Sequence, residues 1–186
     1  MAYSTELFSQ ATCLATMSSL AKMLSFLQQL RSNTPDQKRY MQIINIALIK
    51  STLAHHEKKT GLLIKNQANP FCTIYGNSVI RICLTLSNYK ILKQSLKSNH
   101  HPCNQADQNP LHLAVLAKSA RGISVIIEET QDKFLHMVDK HGKSALDYAQ
   151  ESQQHQLIKQ LSAAIQAHSR SSPQRLFTQQ PSNPKP

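Results

Sequence analysis

Three stretches of this chain can be laid on one another in phase, and that periodicity limits the fold more than any single residue does. "GNSVIRIC" (76–83), "DQNPLHLA" (107–114) and "GKSALDYA" (142–149) each open on a turn residue and a small polar residue. Each then sets apolar residues about a polar position and ends in Ala or Cys. The start points lie 31 and 35 residues apart, the spacing of helical repeat units. A second aliphatic cluster follows at a constant offset: Ile91 and Leu92 after Gly76, Ile123 after Asp107, Leu157 and Ile158 after Gly142. Each unit therefore predicts two short helices, with a core buried between neighbouring units.

Composition agrees with a helical chain. Of 186 residues 40% are hydrophobic, enough for a core, while four glycines and no tryptophan weigh against β-rich folds and glycine-rich phosphate loops. Upstream of the repeats, Leu7, Ala11, Leu14, Ala21, Leu24 and Leu27 sit near helical spacing. They predict one amphipathic helix over 5–30, capped by Ser4 or Thr5. The uncharged run Leu7–Ala21 lacks the basic flank of a signal peptide and is too short and polar to cross a bilayer. "RSNTPD" (31–36) then breaks the helix at Pro35.

The repeated stretches resemble the ankyrin repeat, whose signature is TPLHxA with a period of about 33 residues. "NPLHLA" departs from it only in Asn109, and Pro110, Leu111, His112 and Ala114 occupy the signature positions. "DKHGKSALDYA" (139–149) is similar to the D-x-x-G turn running into a terminal repeat, and "QANPFCTIYGNS" (67–78) to the hairpin that precedes one. The resemblance covers about 42–165 and implies an all-α, ankyrin-repeat-like helical solenoid of about three to four helix pairs with an N-terminal capping helix. Gly76 and Gly142 would then mark the turns. His112 would bond within and between repeats.

Several positions depart from that pattern. Val79 and Ala145 replace the proline, Arg81 and Asp147 replace the histidine, and Ser87, Lys118 and Gln153 stand where glycine usually separates the two helices. Each of those three would be strained at positive φ. The first unit admits two registers, with either Ile44 and Ala47 or Leu48 and Ser51 at the Leu and Ala positions. The domain plan is an N-terminal helix and linker (1–36), repeats (37–167) and a flexible polar, basic tail (168–186).

No nucleophile motif, HExxH or P-loop is present, so no enzyme and no cofactor is expected. His100, His101 and Cys103 cluster on a loop but have no second ligand pair at zinc spacing, so no metal site is expected either. Cys83 falls on the small buried position and reads as a packed thiol. The four cysteines show no disulfide spacing, which fits reduced thiols in an intracellular compartment. Asp147, early in a helix, reads as dipole compensation.

Charge points to a partner. The formal charge is +11, and no Asp or Glu occurs between Glu57 and Asp107. Within that span Lys90, Lys93 and Lys97 share one helix face and form a candidate basic stripe for an acidic protein surface. No aromatic residues interleave the lysines, which disfavours nucleic acid.

The resemblance implies a monomeric, non-enzymatic protein-recognition module. Composition and the polar C-terminus look like the ankyrin proteins that intracellular bacteria deliver into host cells. An inhibitor or adaptor of a regulatory protein within its own cytoplasm, and a basic nucleic-acid or anionic-membrane binder, stand as alternatives.

Overall fold

The computed structural model describes residues 2–74, 76–98, 100 and 103–171. Among them the chain is all helical, with only the isolated bridges Ile74–Asn77 and Val138–Ser144 beside ten helices. In chain order these are α1 (Ala2–Thr16), α2 (Leu20–Asn33), α3 (Gln37–Leu53), α4 (Glu57–Lys65) and α5 (Val79–Thr85). Then follow α6 (Tyr89–Leu96), α7 (Pro110–Leu116), α8 (Ala120–Thr130), α9 (Ala145–Glu151) and α10 (His155–Ser171). From α3 onward consecutive helices pack as pairs: α3 with α4, α5 with α6, α7 with α8, α9 with α10. The leading helices touch in the order α3, α5, α7, α9, and the trailing ones in the order α4, α6, α8, α10.

The small polar residue of each motif is a helix cap. Ser78 accepts from Arg81 N at 3.3 Å, Asn109 from Leu111 N at 2.8 Å and His112 N at 3.2 Å, and Ser144 from Asp147 N at 3.3 Å. Pro110 follows at the first helical position, where a missing N–H leaves no bond unmade. Between paired helices the chain turns left-handed at His55, Ser87, Lys118 and Gln153, with φ of 56, 55, 51 and 52°. In each case the next residue's N–H returns to the carbonyl five residues back, at Ser51, Cys83, Ala114 and Ala149, over 2.9–3.0 Å. This closes the helix end without glycine. The strain expected at Ser87, Lys118 and Gln153 is present.

His55 also gives the first unit a reference point. Counting back from the left-handed residue puts Leu48 with Ile80 and Leu111, and Ser51 with Cys83, Ala114 and Ala149. All seven are at most 1% exposed. Leu48 and Ser51 thus stand at the same distance from the left-handed residue as their counterparts in the later helices. Leu146, the fourth leucine-position residue, is only half-buried, and α9 is the last leading helix among the described residues. Gly122 marks a close approach: an added Cβ would lie 2.3 Å from Leu84 Cδ2.

The N-terminal expectation needs correction. The single helix over 5–30 is two helices, broken at Met17–Ser19, where Ser19 is extended (φ −112°, ψ 131°). One straight helix of that length would run about 39 Å, against about 25 Å for α3, on which α1 packs. The break lets both apolar faces reach the core, burying Leu14 on α1 and Met23 and Leu27 on α2. Ser4 and Thr5 lie inside α1, which begins at Ala2, so neither caps it. The break at Pro35 is as expected, with Asp36 capping α3 through Lys38 N at 2.9 Å. At the other end α10 runs past 167 to Ser171, and the rest of the expected tail lies outside the described residues.

Candidate functional site

The turns before α7 and α9 are each held by one side chain, while the turn before α5 is closed by the backbone bonds between Ile74 and Asn77 at 2.9 and 3.0 Å. Asn104 Oδ1 accepts from Ala106 N at 2.9 Å and Gln108 N at 3.0 Å. Asp139 Oδ1 repeats the pattern, accepting from His141 N at 2.8 Å and Lys143 N at 3.1 Å. Three residues after each, Asp107 and Gly142 turn left-handed at φ 56 and 71°, as does Gly76 at 75°. The Tyr148 hydroxyl donates to Asp139 Oδ2 at 2.6 Å. That bond, with the N–H groups of Lys143 and His141, pulls the Asp139 carboxyl down to about 2.

His112 joins one turn to the next. Its Nδ1 accepts from Asn109 N at 3.1 Å, which leaves Nε2 to donate to the Lys143 carbonyl at 2.9 Å. Only the neutral ring can do both, and burial lowers its pKa. Asn109 Nδ2 also reaches the Phe134 carbonyl at 3.3 Å, and Lys140 N donates to the Ala106 carbonyl at 3.2 Å. Asp147, at the His112 position of the last unit, accepts from Ser144 N and Oγ, both at 2.7 Å. It completes a capping box, a more local role than dipole compensation. Asn104 and Tyr148 were not anticipated. A signal existed for Asn104, which stands three residues before its turn as Asp139 does.

This bonding holds the turns beside the leading helices, and a groove of about 670 Å³ lies between them. Arg81 and Thr85 of α5, Leu113 and Leu116 of α7, and Asn104 and Gln108 of the turn line it. Arg81 is exposed, its guanidinium 3.4 Å from the Gly76 carbonyl, and Leu116 is 52% exposed. One cation and one bare leucine thus face the same space.

The α6 lysines have neighbours that sequence spacing could not reveal. Lys90 Nζ lies 3.6 Å from Glu57, Lys93 lies 2.8 Å from Glu129 and 3.6 Å from Glu128, and Lys97 lies 3.3 Å from Glu129. The carboxylates come from α4 and α8, which flank α6. Bonding to Lys93 lowers the Glu129 pKa and raises that of Lys93. Three lysines face three carboxylates here.

Other candidate groups are occupied structurally. Burial pushes the Cys83 thiol up to about 12 and the Cys72 thiol up to about 11, far from reactive thiolates. Cys103 is partly buried and His101 lies outside the described residues. Among the described residues no three His, Cys, Asp or Glu side chains converge to hold a metal ion. No described helix is long and apolar enough to cross a membrane. Compared with models of known protein families and with curated protein sequences, the chain finds no match.

Proposed function

We propose that the protein is a non-enzymatic protein-recognition module of ankyrin-like solenoid form, with the groove between α5 and α7 as its recognition surface. The observation that carries this reading is the groove itself, framed by two capped helices, the turn locked by Asn104 and the backbone-bridged turn at Ile74–Asn77. A preformed surface spares a partner the ordering that a flexible loop would require. Exposed Arg81 suits a carboxylate, and Leu116 suits an apolar anchor beside it. The buried thiols and the doubly bonded neutral imidazole of His112 support a binding rather than a catalytic role. Pairing of Lys90, Lys93 and Lys97 with Glu57, Glu128 and Glu129 favours α6 as a clasp between α4 and α8 over a free docking stripe.

Affinity capture from a host-type lysate, compared between the wild type and an Arg81→Glu/Leu116→Asp variant, tests the reading. Proteins retained by the wild type should be lost from the variant while its helical circular dichroism is unchanged. Identical capture by both would place recognition elsewhere.

A further inference from the structure

A second surface, away from that groove, has a character of its own. Three depressions adjoin along α4. The middle one, about 570 Å³, lies between Leu20, Leu62, Ile64, Lys65 and Lys97. A second, about 610 Å³, shares Leu20, Glu57 and Lys58 with it. The third, about 670 Å³, shares Ile64, Lys65 and Lys97 and adds Met41. Together they make one trough that follows α4 past both its ends. Gly61 keeps the middle open: the Gln94 side chain reaches within 3.1 Å of where a Cβ would stand.

We propose that this trough docks an acidic amphipathic segment of a partner protein. Its wall is apolar at the middle, where Leu20 is 38% exposed and Leu62, Ile64 and Met41 are half-buried. Its rim is cationic: Lys58, Lys59, Lys65 and Lys97 line it against Glu57 as the one acid among the described residues. Glu57 is engaged by Lys90 and Lys97 by Glu129, and Lys59 donates to the Ala15 carbonyl at 2.8 Å. Lys58 and Lys65 are exposed and, among the described residues, have neither an ion-pair nor a hydrogen-bond partner. An occupant must therefore bring apolar side chains for the wall and carboxylates for the rim.

Two other classes of partner fit less well. A bilayer is met by a helix laying its apolar face outward, whereas this apolar surface is recessed. Single-stranded nucleic acid is bound on large aromatic platforms, and no Phe, Tyr or Trp lines the trough. The nine residues of α4 span about 14 Å, so a segment of two to three helical turns matches the length.

The test uses the full chain and a fluorescein-labelled amphipathic peptide carrying leucine at i, i+3, i+4 and i+7 and glutamate elsewhere. Anisotropy should show saturable, salt-weakened binding, with amide shifts confined to Leu20, Gly61, Leu62, Ile64 and their neighbours. Lys58→Glu/Lys65→Glu should weaken binding at least tenfold, while Arg81→Glu leaves it unchanged, separating this surface from the groove. Absence of saturable binding would overturn the proposal, as would equal affinity in the double variant. Binding to phosphatidylserine vesicles without binding to the peptide would overturn it in favour of a membrane surface.

Discussion

The third and fourth units are tied together by polar bonds between their turns, while the first unit is held mainly by apolar packing. Polar bonds lie at its edges, from Arg39 to Glu6 at 2.6 Å, Lys59 to the Ala15 carbonyl at 2.8 Å and Asn69 N to Asn45 Oδ1 at 2.7 Å. His112, Asn109, Asp139 and Tyr148 link one turn to the next through geometry that has to be met at every atom. The first unit has no such turn. Its leading helix starts from the Asp36 cap and runs 17 residues where α5, α7 and α9 run seven each. The added length gives α1 a surface to lie on, and Leu14, Ile43, Ile44 and Leu48 are fully buried. One repeat period thus admits two ways of fastening a unit. Packing tolerates imprecise side-chain choice, whereas a buried hydrogen-bond network does not.

The largest effects should come from shared core positions in both regions. Leu111→Ala and Leu48→Ala should each destabilise by about 2–5 kcal/mol in urea titrations, with Leu146→Ala well below both because that side chain is half-buried. Equal losses at Leu146 and Leu111 would show that the last unit is covered by something further.

Next comes the polar network. His112→Ala leaves the Asn109 N–H and the Lys143 carbonyl without their partner, a loss of about 1–3 kcal/mol. Hydrogen exchange should rise around α9 and the 139–144 turn and stay unchanged in α1 and α3. Uniform loss of protection would erase the distinction between the regions.

Acid should separate them too. His112 is neutral when folded, with its pKa below the ordinary value near 6.5. An unfolded chain therefore takes up a proton that the folded one refuses, and stability falls as pH drops below about 6.5. Asp139 adds a second loss: its stabilisation is complete above the unfolded carboxylate value near 4 and disappears as pH falls toward about 2. Exchange protection in α9 should therefore decay before that in α3 on acidification, and His112→Gln should remove the first step alone.

Smaller gains are expected from two repairs. Lys118→Gly removes a left-handed non-glycine and should stabilise by about 1 kcal/mol, a shift readable in thermal melts. Ser95 is fully buried with its hydroxyl unpartnered, where the corresponding residues Leu63, Ile126 and Leu161 are aliphatic. Ser95→Ala should be neutral or stabilising by up to about 1 kcal/mol, and a marked loss would reveal a bonding partner for that hydroxyl.

Much of this architecture was legible in the chain. The paired helices and the packed Cys83 thiol follow from helical periodicity, which acts over a few residues, and the left-handed links at Ser87, Lys118 and Gln153 stand where the ankyrin resemblance implies a glycine. The break at Met17–Ser19 was not legible: no proline or glycine marks it, and the length of α3 decides it. The lysines of α6 show the same limit. Their shared face is a matter of helical spacing, but Glu128 and Glu129 lie more than 30 residues away in sequence and reach Lys93 and Lys97 only when α8 packs on α6. The sequence alone thus determined a periodic, helical, basic chain. Tertiary structure decided which charges are left unpaired and which apolar side chains are left uncovered, since both depend on distances between segments that no local pattern encodes.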